Sequence, residues 1–209
     1  MRGLRILGID PGTNATGFGV VERDGARLRH VAHGVLRPAR AQSMAARLAQ
    51  IHAGLVALIA EHAPACVAIE QIFVAASGKS AIVLGQARGA ALVAIGAAGL
   101  PFDEIAPQQI KLAVTGTGAA DKAQVQAMVR RLLALETPPV RDAADALAAA
   151  ICRAQMQGSR LRAAAARAGT SANPAEAKSE TRLLWEQSAA RRRASPRVRG
   201  AHFVLRGAR

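Results

Sequence analysis

The chain is poor in acid: fourteen Asp and Glu stand against twenty-eight Lys and Arg, a formal charge of +14. It has no tyrosine and one tryptophan, and 2% of its residues are aromatic although 51% are hydrophobic. A core must therefore be built from Ala, Val, Leu and Ile. Cys66 and Cys152 sit in apolar segments without metal-ligand spacing, which argues against a disulfide framework or zinc site and suits a reducing compartment. The first apolar run is short and ends in Asp10, unlike a signal peptide. The longest membrane-like stretch free of charged side chains, Gly89–Phe102, falls short of the ~18–20 residues that span a bilayer. These absences point to a soluble cytoplasmic protein with no membrane segment.

The positive charge is unevenly spread. Residues 1–158 hold 16 Lys and Arg against 11 acids, whereas residues 159–209 hold 12 against 3. The first part is long enough for one domain with a sizeable core. In the second, residues 163–178 are rich in Ala, Ser, Asn, Pro and Lys, and Arg191-Arg192-Arg193 with later arginines gives a basic end. The whole reads as a basic, mostly disordered C-terminal tail. Such a charge favours a polyanionic partner, nucleic acid first.

Hydrophobic spacing divides residues 1–158 into elements. Residues 4–10 form an apolar run closed by Pro11-Gly12, a buried strand. Phe18–Glu22 is a second strand, and Arg23-Asp24-Gly25 turns into a third at Leu28–Leu36. From Met44 the period changes: Leu48, Ile51, Leu55, Leu58 and Ile59 line one face of a helix that Ser43 can cap. Pro64 stops it before a strand ending in Glu70. A helix over 80–98, a strand over 102–106, a short helix from Pro107 to about Val114 and a helix from Asp121 to Leu135 follow, and the last helix is expected from Asp142 to about Gln157. The order predicts an α/β fold with a mixed five-stranded sheet flanked by helices.

Against this background four acids stand out. Asp10 and Glu70 each terminate an apolar strand, and Asp142 and Asp145 lie three apart at the start of an alanine-rich helix. Residues three apart share a helix face, and strand ends are expensive places for an unpaired carboxylate. Four converging carboxylates repel one another unless a hard cation such as Mg²⁺ neutralises them. Two such ions ~3.5–4 Å apart can hydrolyse a phosphodiester.

Each acid also has an ordinary explanation. Asp10 can satisfy its own turn, Glu70 can be a strand-end acid, and Asp142 can cap a helix with Asp145 in its first turn. Jointly, with no Ser/His or Cys/His arrangement competing, they favour metal-assisted chemistry. Two other functions stay open on the residues alone. An actin-like phosphotransferase would use the Asp10-Pro11-Gly12-Thr13 turn, and a non-catalytic DNA-binding protein would use only the charge.

Ile6-Leu7-Gly8-Ile9-Asp10-Pro11-Gly12-Thr13 followed by Thr16-Gly17-Phe18-Gly19-Val20 resembles the first motif of the bacterial Holliday-junction resolvase family, RuvC. Ala68-Ile69-Glu70-Gln71-Ile72-Phe73 resembles its second, and Asp142-Ala143-Ala144-Asp145-Ala146-Leu147-Ala148 its last. Leu84–Gly89 and Gln124-Val125-Gln126 fall between them, and the resemblance is collinear over about residues 4–157. It implies an RNase H-like nuclease domain over 1–158 and a homodimeric endonuclease that nicks four-way DNA junctions symmetrically during recombination and repair. It also implies that Asp10, Glu70, Asp142 and Asp145 hold Mg²⁺, two ions per site with Mn²⁺ as an alternative. The RuvA–RuvB branch-migration complex is the implied partner.

The same resemblance makes Phe73 a stacking wedge near the junction centre, where stacking on a base is worth ~1–3 kcal/mol. It places Lys111 and Lys122 near the scissile phosphate. Lys122 opens a helix after a Gly-rich loop, a position suited to phosphate. Arg88 reads either as a phosphate contact or as a helix-surface charge.

Overall fold

The structure is a computed structural model and describes residues 3–71 and 78–169, with backbone alone for Lys79 and 160–169. Three antiparallel strands open the chain: β1 (Leu4–Asp10), β2 (Thr16–Asp24) and β3 (Arg27–Leu36). Helix α1 (Met44–His62) then returns the chain so that β4 (Cys66–Glu70) pairs parallel to β1. Helix α2 (Gly78–Ala97) leads to β5 (Phe102–Ile105), parallel to β4. Helices α3 (Pro107–Thr115), α4 (Lys122–Leu132) and α5 (Arg141–Gly169) complete the order. The sheet reads β3-β2-β1-β4-β5, and its strands, helices α1 to α4 and α5 as far as Ala163 belong to one unit, Met1–Ala163.

Alternation along the strands explains the two cores. Leu7, Ile9, Val20, Val67 and Ile69 pack with Ile51 and Leu55 of α1 and with Ala87, Ala91, Ala94 and Ile95 of α2. On the other face Ile6, Val21, Cys66, Ala68 and Ile105 pack with α3, α4 and α5. Because helices cover both faces, β1 and β4 are continuous apolar runs rather than alternating ones. Both cysteines are buried and free.

Helix α5 lies unusually close to the sheet, and the sequence shows why. A Cβ on Gly8 would sit 1.9 Å from the Ala146 carbonyl oxygen, and one on Gly17 would sit 1.9 Å from that of Asp142. Missing side chains on β1 and β2 therefore admit the helix backbone itself. Small buried residues on α5, among them Ala143, Ala146 and Ala150, complete the contact. Full burial of Leu147 adds roughly 2 kcal/mol.

Local signals set the helix ends. The Ser43 hydroxyl accepts from the Ala46 amide at 3.3 Å, and Ala63 closes α1 in the left-handed region before Pro64. Asp121 and Gln124 form a reciprocal capping box on α4. Helix α5 extends to Gly169, where the sequence suggested an end near Gln157. The added segment, Gly158 to Gly169, consists mainly of Ala, Arg and Leu, strong helix formers that need no apolar period.

Among the described residues two helices, Met44–His62 and Ser80–Ala97, are long and apolar enough to cross a membrane by length and composition, although no such segment is apparent from uncharged runs alone. Both lay a buried face on the sheet, and core packing accounts for that part of their apolarity.

Candidate active site

Asp10 and Glu70 are the last residues of neighbouring strands, since Ile9 pairs with Ile69 in the parallel β1–β4 ladder. Alternation puts Asp10 on the face of Ile6 and Gly8, and Glu70 on that of Cys66 and Ala68. This is the face covered by α5, whose first turns carry Asp142 and Asp145. The close approach at Gly8 and Gly17 thus brings the helix acids to the strand acids.

The turn after β1 is held without the Asp10 carboxylate. Thr16 Oγ1 donates to the Gly12 carbonyl at 2.8 Å and accepts from the Gly12 amide at 3.3 Å. Arg47 of α1 donates from Nη2 to the Thr13 carbonyl and to Asn14 Oδ1, both at 2.6 Å. Asp142 is not the cap of α5 either, because that helix begins at Arg141.

Electrostatics ties the four acids together. Burial, then Asp145, Glu70 and Asp142, push the Asp10 carboxyl up to about 7, while Lys122 works in the opposite direction. Glu70 is raised by burial and by Asp145, against the lowering influence of Lys122 and Lys111. Lys122 at the start of α4 reaches Asp145 Oδ2 at 3.2 Å, and its side chain stays 58% exposed. Lys111 lies on α3, partly buried.

Among the described residues no three His, Cys, Asp or Glu side chains are gathered tightly enough to hold a metal ion as they stand. The structure therefore brings the acids into one field but not into a closed coordination shell. Their chemistry fits a hard divalent cation: every donor is a carboxylate oxygen, and the mutual repulsion that raises Asp10 is what such a cation relieves.

Arg88 is engaged within the fold. Its guanidinium pairs with Glu104, and Nη1 donates to the Glu70 carbonyl at 3.4 Å. The side chain is only 15% exposed, so it braces the ends of β4 and β5. Phe73 lies outside the described residues.

Beside the acids an open cleft of about 240 Å³ is lined by Lys122, Ala123, Gln126, Arg141, Ala144 and Asp145. Arg141 and Gln126 do not emerge from the sequence as site residues. A single arginine before the Asp142–Asp145 pair carries no periodic signal. Only the meeting of α4 with α5 gives it neighbours.

Comparison with known proteins shows the family of the chain. The family model described as crossover junction endodeoxyribonuclease RuvC matches residues 6–153. This chain belongs to the RuvC family. It is 54% identical over 160 residues to the crossover junction endodeoxyribonuclease RuvC of Halorhodospira halophila, covering 77% of this chain and 95% of that protein. The RuvC of Hyphomonas neptunium is 54% identical over 151 residues, covering 72% and 90%. Among solved structures, Thermus thermophilus RuvC in complex with a Holliday junction substrate superposes with a TM-score of 0.70 at 35% identity, covering 74% of this chain and 97% of that one. The yeast mitochondrial resolvase Ydc2, at 15% identity and a TM-score of 0.53, shares the fold. The chain is accordingly a nuclease of the crossover junction endodeoxyribonuclease class, with the RNase H-like sheet of that family.

Proposed function

We propose that the chain resolves four-way DNA junctions by paired symmetric nicks, with Asp10, Glu70, Asp142 and Asp145 holding Mg²⁺ at the cutting site. The observation that carries this reading is the half-buried Asp10 carboxyl, which lies in the field of three other carboxylates and is raised to about 7. A site with that excess of negative charge has little purpose without a cation. Bound there, Mg²⁺, as two ions or with Mn²⁺ in its place, would supply activation of water and stabilisation of the leaving oxygen.

The chain's own residues do the positioning. Asp10 and Glu70, fixed at adjacent strand ends, present oxygens from the sheet, and Asp142 and Asp145 present theirs from α5. Lys122 keeps a positive charge at the rim, where it can meet a phosphate when Asp145 turns to other partners. Lys111 supports the ionised form of Glu70. Arg88 acts by bracing β4 against β5 rather than by touching DNA.

Symmetric cutting requires two sites. A second copy of the chain would find exposed Ile82 and Val93 on α2, which are 66% and 61% accessible. Phe73 as a stacking wedge, action with the RuvA–RuvB complex and a cytoplasmic setting complete the reading.

The test is cleavage of a synthetic four-way junction in Mg²⁺ beside linear duplex of the same sequence. Paired nicks on the junction alone, abolished by Asp10→Asn with binding retained, are expected. Binding without cutting in Mg²⁺ or Mn²⁺ would overturn the reading.

A further inference from the structure

The cleft between α4 and α5 holds a positive charge that the catalytic reading leaves unused. Arg141 is exposed, immediately precedes Asp142 and lines the cleft with Lys122, Gln126 and Asp145. Three other arginines of the fold are committed to ion pairs: Arg5 with Glu22, Arg88 with Glu104 and Arg153 with Asp103. Among the described residues the Arg141 side chain makes no ion pair or hydrogen bond. The cleft's one acid, Asp145, is already met by Lys122 at 3.2 Å, so the lining carries a net positive charge.

Its other features narrow the ligand. Gln126 Nε2 donates to the Pro139 carbonyl at 2.6 Å, which ties down the segment leading into Arg141. One of its two amide hydrogens is thereby occupied. No aromatic lines the cleft, so it lacks a stacking surface for bases. Ala123 and Ala144 leave the space open. A guanidinium offers paired donors that match a phosphate bidentately.

We propose that Arg141 grips a DNA backbone phosphate in this cleft, adjacent to the phosphate that is cut, and so fixes the strand across the carboxylates independently of base sequence. The proposal rests on the reading that those carboxylates are the cutting site.

Its test uses full-length protein carrying Asp10→Asn, so that binding is measured apart from cutting. Adding Arg141→Ala is expected to weaken junction binding about fivefold, equally for junctions of different sequence, and to make the slope of log affinity against log salt shallower by about 0.9. Arg141→Lys should restore the slope but only part of the affinity. Replacing backbone phosphates one at a time by neutral methylphosphonates should reveal one position that weakens the Arg141 protein and not the Arg141→Ala protein. An unchanged salt slope, or identical methylphosphonate penalties in both proteins at every position, overturns the proposal. Thermal melting of the variant checks that it is folded, as expected for an exposed side chain. Junction cutting by the Asp10→Asn protein would instead overturn the carboxylate assignment, and the two failures are therefore distinguishable.

Discussion

Lys122 and Asp145 are joined across the start of α4 and the first turns of α5 by an ammonium–carboxylate contact of 3.2 Å. This lysine also holds down the proton affinity of both Asp10 and Glu70. One side chain therefore influences three of the four acids while remaining more than half exposed to a substrate.

Replacing it by an uncharged residue of similar length should expose both roles. In Lys122→Met, cleavage of saturated junction is expected to fall about 10²-fold, with a smaller loss of junction affinity. The pH at which cutting reaches half its maximum should also rise, because Asp10 and Glu70 lose the charge that favours their ionised forms. A pH–rate profile that keeps its midpoint would contradict the coupling.

The raised Asp10 carboxyl makes a prediction about stability without metal. Its folded value of about 7 lies above the ordinary 3.8. Between these values the folded state keeps a proton that the unfolded chain has released, so stability declines as pH rises from about 4 to 7. Asp10→Asn cannot ionise and escapes the decline. In urea denaturation the variant should be more stable than the parent at pH 8, by on the order of 2 kcal/mol, and nearly equal at pH 4. Adding Mg²⁺ at pH 8 should stabilise the parent more than the variant. Parallel stability curves across that range would show that Asp10 carries no such burden.

Much of this site was legible because its signals are local. An apolar run that stops in an acid marks Asp10 and Glu70 as strand ends, and three-residue spacing puts Asp142 and Asp145 on one helix face. The Met44 helix was equally readable from its spacing and from Ser43. What remained hidden depends on partners distant in sequence. Arg88 offers nothing in its own segment to reveal Glu104, and Arg141 gains a role only when α4 packs beside α5. The length of α5 was hidden for a different reason. Its final turns rest on the intrinsic helix preference of Ala, Arg and Leu, and they lack the apolar stripe by which a helix is recognised.

The bare surface at Gly8 should be essential to the assembly of the acids. Gly8→Ala places a methyl group against the Ala146 carbonyl, a backbone atom that cannot swing aside. Destabilisation of about 3 kcal/mol is expected in urea, together with loss of cutting as α5 is pushed from β1. Gly96→Ala on α2 is the comparator, since a Cβ there meets nothing within 4 Å. That change should be neutral or stabilising by about 0.5 kcal/mol. Equal effects at the two glycines would remove the close approach as the reason for Gly8.

Arg88 separates a bracing residue from a DNA contact. If its guanidinium serves to hold Glu104 and the Glu70 carbonyl in place, then Arg88→Ala should destabilise the protein by about 1–2 kcal/mol. Its cutting rate should fall further than its junction affinity, because the end of β4 that carries Glu70 loses a support. Glu104→Gln, which never approaches DNA in this reading, should reproduce the same pattern more weakly, and the double variant should be little worse than Arg88→Ala alone. A direct phosphate contact predicts the reverse. Arg88→Ala would then weaken binding and flatten its salt dependence, while Glu104→Gln would leave both unchanged. Junction affinities of the three variants at two salt concentrations, measured beside their single-turnover cutting rates, decide between the two roles.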